Sequence, residues 1–272
     1  ERIYVDCSQD LNNPLEQLYA RYLADDVEQQ AIGANYATGL YAFLKAKVER
    51  PLAIKGQITG PISFGLAVTD QSHRPIIYDE VLADALAKHL RLKAAWQERV
   101  LCSLSPNTII FVDEPYMSVL GSATVSLPQE QVSSLLEEVF GGIKGYKGVH
   151  CCGNTDWSLL LRTPLDIINF DAYNYGGALS LFPTEVKRFL ERGGIIAWGI
   201  VPNEEQALAK ETLASLRDRL EELMGLFCGK GIDYKVLREQ CLLTPSCGLG
   251  LLSPEAAERA LQLLAELSRK FR

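Results

Sequence analysis

His150 and Cys152 stand two residues apart in V-H-C-C-G-N, and Cys247 stands in P-S-C-G-L-G, nearly a hundred residues later. On a strand, residues two apart project to the same side, so His150 and Cys152 point together and Cys151 points away. An imidazole and a thiolate at one strand end are half of a tetrahedral zinc site, and Cys247 offers a second thiolate from another strand end. The fourth position is open to substrate or filled by a carboxylate, for which Asp171, at the end of the following strand, is the candidate. Cys241, at the opposite end of the strand that leads to Cys247, is out of reach. An H-x-C pair alone also fits a core histidine beside packing cysteines, and the distant third ligand is what strengthens the metal reading. An open position on such an ion can activate a bound group, a thiol among them. A free thiol ionises only near pH ~8.5, whereas a zinc-bound thiol is deprotonated outright.

Strands that end together must carry these side chains, and the pattern after residue 50 supplies them. Residues 53–61, 108–115, 148–152, 166–173, 195–202 and 241–250 read as short apolar strands. Helices are expected over 79–103, from a Ser126/Gln129 capping box to about Phe140, over 157–161 and over 183–191 up to the Gly193-Gly194 stop. A further helix is expected from an Asn203 cap to about Phe227. The last one starts at Ser253-Pro254, with Ala257, Leu261, Leu264 and Phe271 on one face. Strands alternating with helices mean parallel βαβ units. Polar residues gather at several strand ends: Asp113-Glu114, His150 to Asn154, Asp171 and Ser246-Cys247. No G-x-G-x-x-G follows the first strong strand, so a (β/α)8 TIM barrel is expected rather than a doubly wound sheet. Only six strong strands are counted. Residues 1–50 add one strand-like run, Arg2 to Cys7, and a mostly helical stretch, Leu15 to Val48, so the first strand or two are expected upstream of residue 1. The domain expected is a single barrel over 1–272, with 1–50 its helical part and 51–272 carrying the site.

The 272 residues hold 27 Lys+Arg against 34 Asp+Glu, a net charge of −7, with 47% hydrophobic and 22% charged residues. That composition excludes a disordered tail, a collagen-like chain and a disulfide-dense secreted domain. The acidic balance argues against nucleic-acid or anionic-membrane partners. No apolar run is long enough to span a bilayer and no basic-then-apolar leader opens the chain, so a soluble, cytoplasmic protein is expected. Seven cysteines, an odd number without framework spacing, are expected to be reduced thiols, Cys7, Cys102, Cys228 and Cys241 serving as packing.

K-G-Q-I-T-G-P (55–61), F-V-D-E-P (111–115), H-C-C-G-N (150–154), D-I-I-N-F-D (166–171) and P-S-C-G-L (245–249) follow one another in an order that resembles the catalytic domain of cobalamin-independent methionine synthase. The H-x-C-G-N wording also resembles the corrinoid-protein methyltransferases of the wider uroporphyrinogen decarboxylase superfamily, which share the barrel. The first resemblance spans roughly residues 50–272. It implies Zn2+ held by His150, Cys152 and Cys247, with Asp171 where the family has a longer Glu ligand. It also implies Asp113 as the residue that holds the amino group of homocysteine, followed by Glu114 at the substrate, and an S-methyltransferase of methionine biosynthesis. The chain departs from the family after T-G-P, where residues 62–70 contain no Trp, and at 199–203. Those regions serve the folate donor, so the methyl donor is left between a methylated corrinoid and methyltetrahydrofolate. Other readings are a corrinoid-dependent methyltransferase for another thiol, a tetrapyrrole decarboxylase, which would need an arginine cluster not seen here, and a non-catalytic zinc-binding protein. Lys55 is expected in a surface or ion-paired role, and the aromatic residues Trp157, Trp198 and Tyr173 to Tyr175 are expected more as packing than as a substrate mouth.

Overall fold

Ile54 and Ile58 are buried while Lys55, Gln57 and Thr59 between and beyond them are exposed, the period-two signature of a strand covered by helices on one side only. The computed structural model describes residues 3–47, 49, 51–122 and 125–271. Arg2 and Val48, which bound two of the runs read from sequence, lie outside them. The chain divides into two compact units, residues up to Val149 with Thr163–Leu165, and His150–Arg162 with Asp166–Arg272.

The first unit runs β1 (Tyr4–Val5), α1 (Asn12–Leu23), α2 (Thr38–Leu44), β2 (Ile54–Thr59), α3 (Pro61–Ala67), β3 (Thr69–Asp70), α4 (Glu80–Leu101), β4 (Thr108–Asp113), α5 (Gln129–Phe140) and the start of β5 (Tyr146–Cys151). Asp79 caps α4, its carboxylate accepting from the amides of Val81 and Leu82. Strand β2 lies parallel to β4, with Lys55 beside Ile109, Gln57 beside Phe111 and Thr59 beside Asp113. The expected Ser126 capping box does not form, since Pro128 precedes α5 and no side chain caps it. Trp96 and Leu92 of α4 close with Val27 over a small cluster against α1 and α2 residues.

The second unit continues with α6 (Trp157–Arg162), β6 (Ile167–Phe170), α7 (Ala172–Tyr175), α8 (Pro183–Glu191), β7 (Ile195–Val201), α9 (Glu205–Leu208), α10 (Leu213–Cys228), α11 (Tyr234–Glu239), β8 (Cys241–Pro245) and α12 (Pro254–Phe271). A chain of rings, Trp157 to Phe170 at 5.8 Å, Phe170 to Trp198 at 5.6 Å and Trp198 to Phe227 at 5.3 Å, fills its interior, so both tryptophans are packing. The long helix expected from Asn203 is interrupted. Thr212 and Ser215 form the capping box that starts α10, and Asn203 is engaged elsewhere. The buried face of α12 is Ala260, Leu263, Leu267 and Phe271, one step round from the face expected, and Leu261 is exposed.

The closed eight-stranded barrel is not what forms. Six strands hydrogen-bond in the order β2-β4-β5-β6-β7-β8, and β1 and β3 pair with each other in a separate two-stranded sheet, so the larger sheet is open. Among the described residues before β2, the chain is spent mostly on α1 and α2 and offers one two-residue strand, which runs beside β3. Cys7 and Cys102 are exposed rather than packing. Among the described residues no helix is long and apolar enough to cross a membrane.

Glu114 is fully buried in the first unit, directly after β4. Its Oε1 accepts from the amide of Ile62 at 2.9 Å, and its Oε2 from the amide of Ser63 at 2.7 Å and the Ser63 hydroxyl at 2.6 Å. It therefore holds the otherwise orphaned first amides of α3. Burial pushes its pKa up from 4.5 to about 7, against the opposing hydrogen bonds. A carboxyl that keeps its proton to higher pH in the fold than in the unfolded chain favours the fold at low pH and loses that contribution as pH rises. The resistance of wild type to urea should accordingly fall as pH rises from about 4.5 to 7. Glu114→Gln should flatten that slope while lowering stability by about 1–3 kcal/mol through a mismatched donor. An unchanged slope in the variant would show that Glu114 does not set it.

Candidate metal centre

Strand β6 reads I-I-N-F, and the one polar residue in it, Asn169, is 5% exposed. Its amide nitrogen donates to the carbonyl of Ala197 on β7 at 2.8 Å and to the hydroxyl of Thr244 on β8 at 2.9 Å. Both amide hydrogens are thus spent on neighbouring strands, and the Oδ1 that meets His150 Nδ1 at 2.6 Å can only accept. The histidine must carry its proton on Nδ1. Its buried Nε2 is then the nitrogen with the lone pair a metal ion requires.

Cys152 follows β5 directly, and Cys247 lies two residues past the end of β8. The turn that carries Cys247 is tied down by Ser246, which is fully buried. Its amide donates to the carbonyl of Val201 at 2.8 Å and its hydroxyl to Asn203 Oδ1 at 2.8 Å, while the amide of Asn203 donates back to the hydroxyl at 3.2 Å. Gly199 permits this closeness, because a Cβ there would fall 2.5 Å from the carbonyl of Phe170 and 2.9 Å from Ser246 Cα. One ligand atom each of His150, Cys152 and Cys247 lies within 4.8 Å of the others. Ligand atoms around a tetrahedral zinc are about 3.5–3.8 Å apart, so these residues fit the ion with small adjustments. Hydrogen bonding to the Cys152 thiol, then to the His150 ring, holds Cys247 well below the ordinary thiol pKa, and the same bond with burial pushes Cys152 up. Two sulfurs that share a proton this closely, beside a ring nitrogen with its lone pair, are groups whose proton a metal ion displaces.

Asp171 lies outside this group. It is 6% exposed, and its two oxygens accept from the amide of Asn174 at 2.8 Å and from Asn174 Nδ2 at 2.7 Å, which makes it the cap of α7. Cys151 is buried and turns its sulfur to the carbonyl of Gly153, and Cys241 is not among the clustered donors. Asp113 ends β4 in the first unit, and Glu114 is the buried anchor of α3. From the sequence, Asn169 and Thr244 were not singled out, Ser246 was read only as a polar strand-end residue and Asn203 only as a helix cap. A lone amide inside an apolar strand was the available signal for the first of them.

No protein-family model matches the chain, and no curated protein does. Among solved structures, a methyltransferase from Methanosarcina mazei has the same fold at a TM-score of 0.54 and 16% identity, over 89% of this chain and 68% of that one.

Asn169→Ala should leave all three donors in place and free the imidazole to rotate. Loss of such a supporting hydrogen bond costs about 10–100-fold in metal affinity. Competition against a chromophoric zinc chelator reads this directly, and unchanged affinity would mean that the ring is oriented by something other than Asn169.

Proposed function

We propose that this protein is a zinc-dependent methyltransferase that methylates a thiol, with homocysteine as acceptor and methionine as product. The observation that carries the reading is a three-donor His150/Cys152/Cys247 set beside a carboxylate, Asp171, already engaged as a helix cap. Structural zinc sites are closed by four protein ligands, whereas three leave a position for substrate. The shared fold with a methyltransferase agrees with it.

Zinc bound there would supply Lewis acidity that keeps the acceptor sulfur ionised at neutral pH. The protein's own residues do the rest. Asn169 keeps Nε2 of His150 aimed and unprotonated, and Ser246 with Asn203 holds Cys247 in place. In this reading Asp113 pairs with the ammonium group of the amino acid and orients it. The sulfur–methyl bond forms as the bond between methyl and donor breaks, the electron pair leaving with the donor, and the thiol proton goes to solvent. We assign the donor to a methylated corrinoid, because residues 62–70 and 199–203 lack the folate-facing features of the methionine synthases.

Purified protein should bind one zinc per chain, and Cys247→Ala should lose most of it with the fold intact, Asp171→Ala losing less. Zinc-loaded wild type should methylate homocysteine from methylcobalamin, with Asp113→Asn raising the homocysteine KM at constant zinc content. Full zinc occupancy in Cys247→Ala would sink the metal assignment. Turnover with methyltetrahydrofolate alone would overturn only the donor, and turnover with a different thiol would move the acceptor to the corrinoid-dependent class.

A further inference from the structure

Cys152 and Cys247 reach one place from two strand ends, the first directly after β5 and the second two residues past β8. Their sulfurs lie within 4.8 Å of each other and share a hydrogen bond. The chain itself keeps them there. Ser246, fully buried, fixes the approach of Cys247 through its amide on the carbonyl of Val201 and its hydroxyl on Asn203. Both thiols are half-buried and so within reach of a small solute. Cys151, next to Cys152 in sequence, is instead buried and turns its sulfur to the carbonyl of Gly153. Past Cys247 the turn has slack, since a Cβ on Gly248 would meet nothing within 4 Å.

A disulfide needs its sulfurs about 2.05 Å apart and its Cβ atoms about 3.5–4.5 Å apart. Two thiols already in hydrogen-bond contact come that close by small torsional changes, and the glycine gives the turn on one side room to follow. We propose that Cys152 and Cys247 form a redox pair, in which two-electron oxidation joins them in a reversible disulfide and closes the site to metal. The oxidant is a peroxide. One thiol takes an oxygen atom from hydrogen peroxide, giving a sulfenic acid and a first water. The second sulfur then displaces the hydroxyl, which leaves as a second water with the proton of the second thiol. Two electrons pass from the sulfur pair to the peroxide. When zinc is bound it leaves as Zn2+, unreduced, and two protons from solvent complete the waters. A disulfide sulfur is no longer a thiolate and does not ligate, so His150 is left as the single donor of the group. The proposal concerns the regulation of the zinc site and rests on that reading for its consequence, while the bond itself needs only the two thiols.

The test treats the full chain with hydrogen peroxide, once loaded with zinc and once stripped with a chelator. Free thiols are then blocked and peptides mapped by mass spectrometry without reduction, and released zinc is read with a metallochromic indicator. Both samples should yield a Cys152–Cys247 cross-link within one chain. The loaded sample should give up nearly all its zinc as the cross-link appears, and dithiothreitol should restore both thiols and zinc binding. Cys151→Ala should keep the cross-link, and Cys152→Ser and Cys247→Ser should each lose it. A chain that holds no zinc before treatment yet forms the bond supports the pair and sinks the metal reading alone. Pairing of either cysteine with Cys151 or with any other, a bond between two chains, oxidation to sulfinic acid with no cross-link, or zinc retained by the cross-linked protein each overturns the proposal.

Discussion

The carboxamide of Asn169 sits in an apolar strand with both its donors committed, one to the backbone of β7 and one to Thr244 on β8. Those two bonds decide which atom faces His150, and so which nitrogen of the ring carries a proton. A buried amide is costly unless every position is satisfied. Here the three partners come from three different strands, so the second unit's part of the sheet and the chemical state of the histidine are one arrangement.

Two buried carboxylates show how little residue type alone reveals about role. Glu114 follows directly after the aspartate of D-E-P and spends both oxygens on the start of α3. Asp171 stands where a fourth metal ligand was expected and spends both on Asn174. In each case, a first turn of helix with unpaired amides lies beside the carboxylate. A fixed, local hydrogen-bonding need takes it. The sulfurs of Cys152 and Cys247 are not taken up by a helix start and lie close to one another and to His150.

The sequence carried the elements well where its signals are local. The apolar runs after residue 50 became strands β2 and β4 to β8 within a few residues, and the same-side argument for His150 and Cys152 agrees with their clustering. Closure of the sheet was not legible, because it depends on pairing between strands far apart in sequence, and the N-terminal segment went to helices instead. Asn203 illustrates the same limit at the scale of one side chain. Its position before two glutamates reads as a cap, yet Ser246, more than forty residues away, takes its carbonyl oxygen and so locates Cys247. The α12 face was offset because a helix with many leucines offers more than one apolar stripe, and only the packing partner selects between them.

The three tryptophans are divided between the two units in a way that makes each unit visible by its own light. Trp96 belongs to the cluster with Val27 and Leu92, whereas Trp157 and Trp198 belong to the ring chain that passes through Phe170 and Phe227. Trp198 also sits next to Ala197, whose carbonyl receives the Asn169 amide. With indoles shielded from water in both units, single-tryptophan versions of the chain would emit from separate interiors. Fluorescence could then report whether the two halves open together or in turn, and whether occupation of the His/Cys/Cys cluster is felt one residue away from the amide that aligns it.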